Sequence, residues 1–133
     1  MTPSVPSARE PLVLIVDDDE RNRRLVRDVL RAAGLRTLEA ATGGEAIALA
    51  AELEPDVILL DLELPDVDGT AVAVELRQGS PTARIPVVAL SARPYAGDRD
   101  TLLAAGFAGY LEKPIDVRTF PDQVRSYCRP ASA

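Results

Sequence analysis

The chain has no histidine and no tryptophan, one methionine and one cysteine. Without histidine it carries no Ser-His-Asp or Cys-His catalysis, no imidazole metal ligand and no phosphohistidine donor. Any bound metal must then be held by oxygen, which points to Mg2+, Mn2+ or Ca2+. The single cysteine, Cys128, permits no intramolecular disulfide, so a reducing, cytoplasmic setting is the simple expectation. Aromatic residues make up 4% of the chain, so the core must be built from Val, Leu, Ile and Ala. Positive charge is short as well, with 15 Lys+Arg against 21 Asp+Glu and a net charge of −6. That balance argues against direct nucleic-acid or anionic-membrane binding, both of which want a positive face. No apolar run approaches membrane length, and the start of the chain, with Pro3, Pro6 and Pro11, lacks the apolar stretch of a signal peptide.

What is present fits one soluble domain. A length of 133 residues is enough to bury roughly two thirds of the unfolded surface. Hydrophobic content of 47% excludes global disorder. Residues 1–11 read as a short flexible tail, 12–129 as the domain and 130–133 as a C-terminal tail. Within the domain, apolar runs of strand length at 12–16, 37–40, 57–60, 87–90 and 109–111 alternate with amphipathic segments. These segments predict helices over about 21–33, 44–53, 69–78, 97–105 and 119–128. Leu25, Val26, Val29, Leu30 and Ala33 follow a helical spacing with arginines on the other face, and Gly34 stands just past them as a stop. The runs at 12–16 and 57–60 show no alternation, which marks strands buried on both faces. The prediction is a doubly wound α/β domain with a parallel five-stranded sheet.

In such sheets the polar side chains that matter gather where strands end. Asp17, Asp18 and Asp19 follow the first strand and Asp61 the third. Ser91 follows the fourth, and Lys113-Pro114 the fifth. The second strand offers only Ala41-Thr42. Each piece has a plain structural explanation: a strand-end Asp is commonly a helix N-cap, and Asp19 fits that role. Together they are harder to dismiss. Three carboxylates about 5 Å apart repel by roughly 3 kcal/mol per pair at an effective dielectric near 20. Such a cluster persists only if cations or protonation relieve it; Lys113 supplies one charge, and a bound Mg2+ would supply two.

Four strings, LIVDDDE (14–20), ILLDLELPDVDG (58–69), VVALSA (87–92) and GYLEKPID (109–116), resemble the response-regulator receiver family of two-component signalling, the CheY-like superfamily. The likeness runs from about 11 to 129. It implies that Asp61 is the phosphoacceptor and that Asp17 and Asp18 hold Mg2+ (or Mn2+) together with Asp61 and the Glu63 backbone carbonyl. Ser91 resembles the hydroxyl that swings to the phosphoryl oxygens, Lys113 the cation that contacts them, and Tyr110 the aromatic switch. Pro114 matches the family's Lys-Pro peptide, often cis. The likeness implies a domain that catalyses its own phosphorylation and dephosphorylation rather than an ordinary turnover enzyme. For Asp17 and Asp18 to meet Asp61, the first and third strands must be neighbours, which is the crevice of the flavodoxin-like (βα)5 order 2-1-3-4-5.

The segments DERNRRLVRDVL (19–30) and KPIDVRTF (113–120) resemble the DivK type of cell-cycle regulator. With only Pro130-Ala131-Ser132-Ala133 beyond the domain, the expectation is a stand-alone regulator with no DNA-binding output domain. Its implied partners are a histidine kinase or histidine phosphotransfer protein, and a downstream target docked on the fourth helix, fifth strand and fifth helix. A receiver cut from a hybrid histidine kinase, and a non-phosphorylated receiver acting as a protein-binding module, are the alternatives. A flavodoxin-like cofactor binder would need a phosphate-cradling loop where Asp17-Asp18-Asp19-Glu20 stands. A haloacid-dehalogenase-type phosphatase would explain Asp17 and Asp19 but only partly Asp61, Ser91 and Lys113.

Three finer expectations follow. Glu63 and Arg93 flank the mouth of the site and would bridge it, lengthening the life of an acyl phosphate. The Pro/Gly-interrupted stretch 93–97 would rearrange on phosphorylation, and Tyr95, Tyr110 and Tyr127 would line a partner face. Pro121 falls in the last helix. A late start over 120–128, with Thr119 as N-cap and Asp122 completing a Thr-x-x-Asp capping box, would accommodate it.

Overall fold

Strand β1 (Leu12–Val16) shows why a run of five apolar residues needs no alternation. Val13 and Ile15 enter one core, while Leu14 and Val16 enter another on the opposite face, because successive side chains of a strand point to opposite sides. Leu59 and Val57 divide from Ile58 and Leu60 in the same way on strand β3 (Val57–Asp61). A sheet with two buried faces must be covered twice.

The computed structural model describes residues 10–62, 64, 69–79, 82–91 and 99–128. Between and after β1 and β3 come α1 (Glu20–Ala32), β2 (Arg36–Ala40), α2 (Gly43–Leu53), α3 (Gly69–Gln78), β4 (Val87–Ser91), α4 (Arg99–Ala105), β5 (Gly109–Glu112) and α5 (Phe120–Tyr127), with a 3₁₀ turn at Thr82–Arg84. The strands form one sheet in the order β2-β1-β3-β4-β5, every pair parallel. One face is covered by α1 and α5 through Val26, Leu30, Phe120 and Val124. The other is covered by α2, α3 and α4 through Ala46, Ala50, Val72, Leu76 and Leu102. The expected doubly wound fold with order 2-1-3-4-5 is therefore the one observed.

Helix ends follow local chemistry. Asp19 is the N-cap of α1: its Oδ1 accepts from the Arg21 and Asn22 N–H groups at 2.8 and 3.4 Å. The chain leaves α1 through Gly34 at φ +91°, a conformation costly for a side chain with Cβ. At α2, Thr42 accepts from Glu45 N–H at 3.1 Å while Glu45 reaches back to Ala41 N–H at 2.7 Å. This is a variant of the capping box that Thr42-Gly43-Gly44-Glu45 spells out and that the sequence reading passed over.

Four expectations need correction. Asp61 and Ser91 are the last residues of β3 and β4 rather than the first residues after them. The arginines of α1 do not all face water: the Arg23 and Arg27 side chains are 17% and 27% exposed, and both reach Glu39 on β2. Leu25, expected on the apolar face, is 47% exposed. The fourth concerns α5, which starts at Phe120 as expected, with Pro121 in its first turn. Thr119 makes no side-chain capping bond, because its own backbone is already in the helical region (φ −104°, ψ −19°). The entry is organised by Asp116 instead. Its Oδ1 accepts from Arg118 N–H at 3.0 Å, and its carbonyl accepts from Thr119 and Phe120 N–H at 3.1 and 2.8 Å.

Asp116→Ala is therefore expected to lower stability by about 1 kcal/mol, and Thr119→Ala by less than about 0.5 kcal/mol. Urea unfolding of the two variants checks this; an equal or reversed ranking would contradict the assignment of the cap.

Candidate functional site

At the C-terminal edge of the sheet, β1 and β3 lie side by side with Val16 opposite Leu60, so the residues that follow each, Asp17 and Asp61, meet. Asp17 is 2% exposed and Asp61 3% exposed, which is rare for carboxylates unless something pairs with them. Lys113, brought over from the end of β5, is that partner. Its Nζ lies 3.2 Å from Asp17 Oδ2 and 3.4 Å from Asp61 Oδ2. The neighbouring Asp18 is exposed. Carboxylate oxygens of Asp17, Asp18 and Asp61 all lie within 4.8 Å of one another. Two buried carboxylates and one open to water make a pocket with a solvent-facing side.

Asp17 is held from several directions. Its N–H donates to Ala40 O at 3.1 Å, Asp19 N–H donates to its Oδ1 at 2.9 Å, and Arg23 Nη1 donates to its carbonyl at 2.8 Å. Ser91 is fully buried at the end of β4, beside β3, and its carbonyl accepts from Lys113 N–H at 2.9 Å. The hydroxyl-bearing residue and the cation-bearing residue are thus tied by one main-chain bond. The Lys113–Pro114 peptide is cis.

Charge in the pocket does not balance. Burial pushes the Asp17 carboxyl above the usual aspartate range, and the Asp61 charge adds to this; the Asp19 N–H and Lys113 pull the other way without cancelling it. Burial works against the Lys113 ammonium, yet the charges of Asp17 and Asp61 outweigh it and hold its pKa above the usual lysine range. Three carboxylates facing one ammonium leave an excess of negative charge for which a hard divalent cation is the fitting relief, since every donor is a carboxylate oxygen.

The structure thus brings Asp17, Asp18, Asp61, Ser91 and Lys113 to one edge. Tyr110 sits on β5, half-buried against the core beneath α4, in an apolar groove shared with Leu102, Phe107 and Tyr127. Glu63, Arg93, Tyr95 and the stretch 93–97 lie outside the described residues. Cys128 is half-buried, and burial, with a smaller effect of Asp56, pushes its thiol up to about 11, so it is a packing residue and not a thiolate at neutral pH. Sequence reasoning singles out neither Arg23, placed only with the arginines on the outer face of the first helix, nor Glu39. The one signal was an acid on a strand otherwise spelled Arg36-Thr37-Leu38-Glu39-Ala40, opposite a helix rich in arginine.

Comparison with known proteins shows the family and the fold. Residues 13–125 match the response regulator receiver domain. The polar-differentiation response regulator DivK of Brucella ovis is 39% identical over 115 residues, covering 86% of this chain and 94% of that protein. Among solved structures, the chemotaxis protein CheY4 of Vibrio cholerae superposes with a TM-score of 0.83 at 29% identity, over 89% of this chain and 98% of that one. The receiver domain of the sensor histidine kinase PA1611 from Pseudomonas aeruginosa, solved with a magnesium ion coordinated in its active-site cleft, superposes with a TM-score of 0.80 at 31% identity, over 89% and 97%. Among the described residues no helix is long and apolar enough to cross a membrane.

The raised pKa of Asp17 fixes a sign. A carboxyl that keeps its proton to higher pH in the folded chain than in the unfolded one contributes most at low pH. That contribution is lost as pH rises from about 3.9 through the raised value. Lys113 contributes below the ordinary lysine range and loses its contribution only as pH rises through its raised value. Mg2+ at about 100 times its dissociation constant should stabilise the fold by about 2.7 kcal/mol. The gain should shrink as pH falls and protons compete for Asp17. Thermal unfolding at several pH values, with and without Mg2+, checks both; a Mg2+ effect that survives Asp17→Asn and Asp61→Asn would contradict this site.

Proposed function

The chain belongs to the response regulator receiver domain family, and on that premise we propose that it takes a phosphoryl group onto Asp61 from a histidine on another protein and thereby changes its binding partners. The observation that carries the proposal is the pocket itself, where Lys113 bridges two buried aspartates beside an exposed third. The absence of histidine in this chain is consistent with a donor elsewhere, a histidine kinase or a histidine phosphotransfer protein.

The residues fit a hard divalent cation, and the fit rests on the donor set alone. Asp17, Asp18 and Asp61 would hold Mg2+, or Mn2+, with the Glu63 carbonyl as a further ligand by family likeness. When bound, Mg2+ supplies positive charge to the phosphoryl oxygens. The rest falls to the chain's own groups. An Asp61 carboxylate oxygen forms the new O–P bond as the N–P bond of the donor phosphohistidine breaks, and the freed imidazole nitrogen takes up a proton. Asp61 is supported at the end of β3, where Leu62 N–H donates to Leu90 O at 3.1 Å and fixes the exit of the strand. Lys113, cationic at neutral pH, faces the charge that develops on the transferring oxygens. Ser91 supplies the hydroxyl that moves to the acyl phosphate, and Tyr110 occupies the groove that its movement would alter.

The groove between α4, β5 and α5 is the proposed docking face for the downstream target. The acidic composition speaks against nucleic acid as that target, and we place the protein in the cytoplasm. Similarity to DivK over 94% of its length favours a regulator built mainly of this domain over a receiver embedded in a hybrid kinase.

Incubation with acetyl phosphate and Mg2+, followed by intact mass, tests the reading. One phosphoryl group is expected on the native protein and none on Asp61→Ala; an unmodified native protein would sink the proposal. Lys113→Ala is expected to slow phosphorylation by about 100-fold while leaving Asp61 the only acceptor.

A further inference from the structure

The carbonyl of Asp17 belongs to the peptide that joins it to Asp18, and that carbonyl is held by a side chain 6 residues further on: Arg23 Nη1 donates to it at 2.8 Å. The other polar groups of Asp17 are already engaged, the N–H by Ala40, Oδ1 by Asp19 and Oδ2 by Lys113. Asp18 is exposed, and one of its carboxylate oxygens lies within 4.8 Å of one on Asp61.

Arg23 is itself fixed. Its Nε lies 3.2 Å from Glu39 Oε1 on β2, and Arg27 reaches Glu39 Oε2 at 3.4 Å. The Arg23 and Glu39 side chains are only 17% and 30% exposed, so the pair is screened less than a surface ion pair. A planar guanidinium can serve the carbonyl and the carboxylate at once; a lysine ammonium has no such fork. Glu39 also sets a negative charge against the guanidinium, so the donor reaches the acidic pocket without adding an unpaired cation beside it. On the pocket side Arg23 bonds to the main chain of Asp17, and on the other side to Glu39.

We infer that Arg23, braced by Glu39, is a positioning residue that orients the Asp17–Asp18 peptide so that the two carboxylates and Asp61 converge on one divalent cation. This rests on reading the pocket as a cation site. Groups that orient metal ligands typically change affinity by 10–100-fold when removed. The competing explanation is that Arg23 only docks α1 against β2. Arg27 separates the two, because it shares Glu39 but makes no bond to Asp17.

Calorimetric titration with Mg2+, alongside thermal unfolding in chelator, decides between them for the full chain and its Arg23→Ala, Arg23→Lys and Arg27→Ala variants. Arg23→Ala should weaken Mg2+ binding by about tenfold, Arg23→Lys should weaken it in the same direction, and Arg27→Ala should leave it within about twofold of native. Native affinity in Arg23→Ala, or an equal loss in Arg27→Ala, would overturn the inference while leaving the pocket intact as a cation site. Should Arg23→Ala fail to fold, Arg23→Lys decides alone, and native affinity in it would overturn the inference. A native protein that binds no Mg2+ would remove the site reading itself, and this inference with it.

Discussion

Like charges forced together at one edge of the sheet organise this molecule. Asp17, Asp18 and Asp61 bring three carboxylates within 4.8 Å, and Lys113 forms ion pairs with two of them. Two of the three are buried, where repulsion is least screened. Such an arrangement stays folded because the surrounding structure over-determines it. Two cores of aliphatic side chains hold β1 and β3 together, and main-chain and side-chain bonds fix Asp17 on every side. Stability is given up locally at the pocket and supplied by the sheet and its two helical layers.

On the proposed function, that imbalance would also make the pocket responsive. A divalent cation relieves it, and a phosphoryl group on Asp61 would bring negative charge back into the same space. The groups that must answer are already linked through the main chain, since Lys113 N–H is bonded to the carbonyl of Ser91. Ser91 ends β4 and Tyr110 lies on β5, paired with Ala89 of β4. A change at Asp61 therefore has a short route across adjacent strands to the apolar groove of α4, β5 and α5, and coupling through packed neighbours of this kind is how receivers would transmit a local charge change.

Much of the fold was legible in the sequence because burial on both sheet faces leaves continuous runs such as Leu12-Val13-Leu14-Ile15-Val16, and helices leave a different period. The strand ends were legible to within about one residue, because polar residues break or close the apolar runs, Asp17 just after β1 and Asp61 as the last residue of β3. Three things were not. Thr119 looked like an N-cap, but capping depends on backbone angles that composition does not report, and Asp116 does the work. Leu25 looked like a core residue, yet it stands 47% exposed, while Arg23 and Arg27 of the same helix reach Glu39 on β2. Arg23 itself was hidden among helix residues of ordinary character; only the approach of α1 to the end of β1 gives it the Asp17 carbonyl.

The central claim is that one carboxylate among the three, Asp61, receives the phosphoryl group, while Asp17 and Asp18 serve the cation. Borohydride reduction of the phosphorylated protein converts an acyl phosphate to an alcohol at the residue that carried it, and peptide mass spectrometry then locates that residue. Conversion at Asp61 alone is the expected result; conversion at Asp17 or Asp18 would contradict the account.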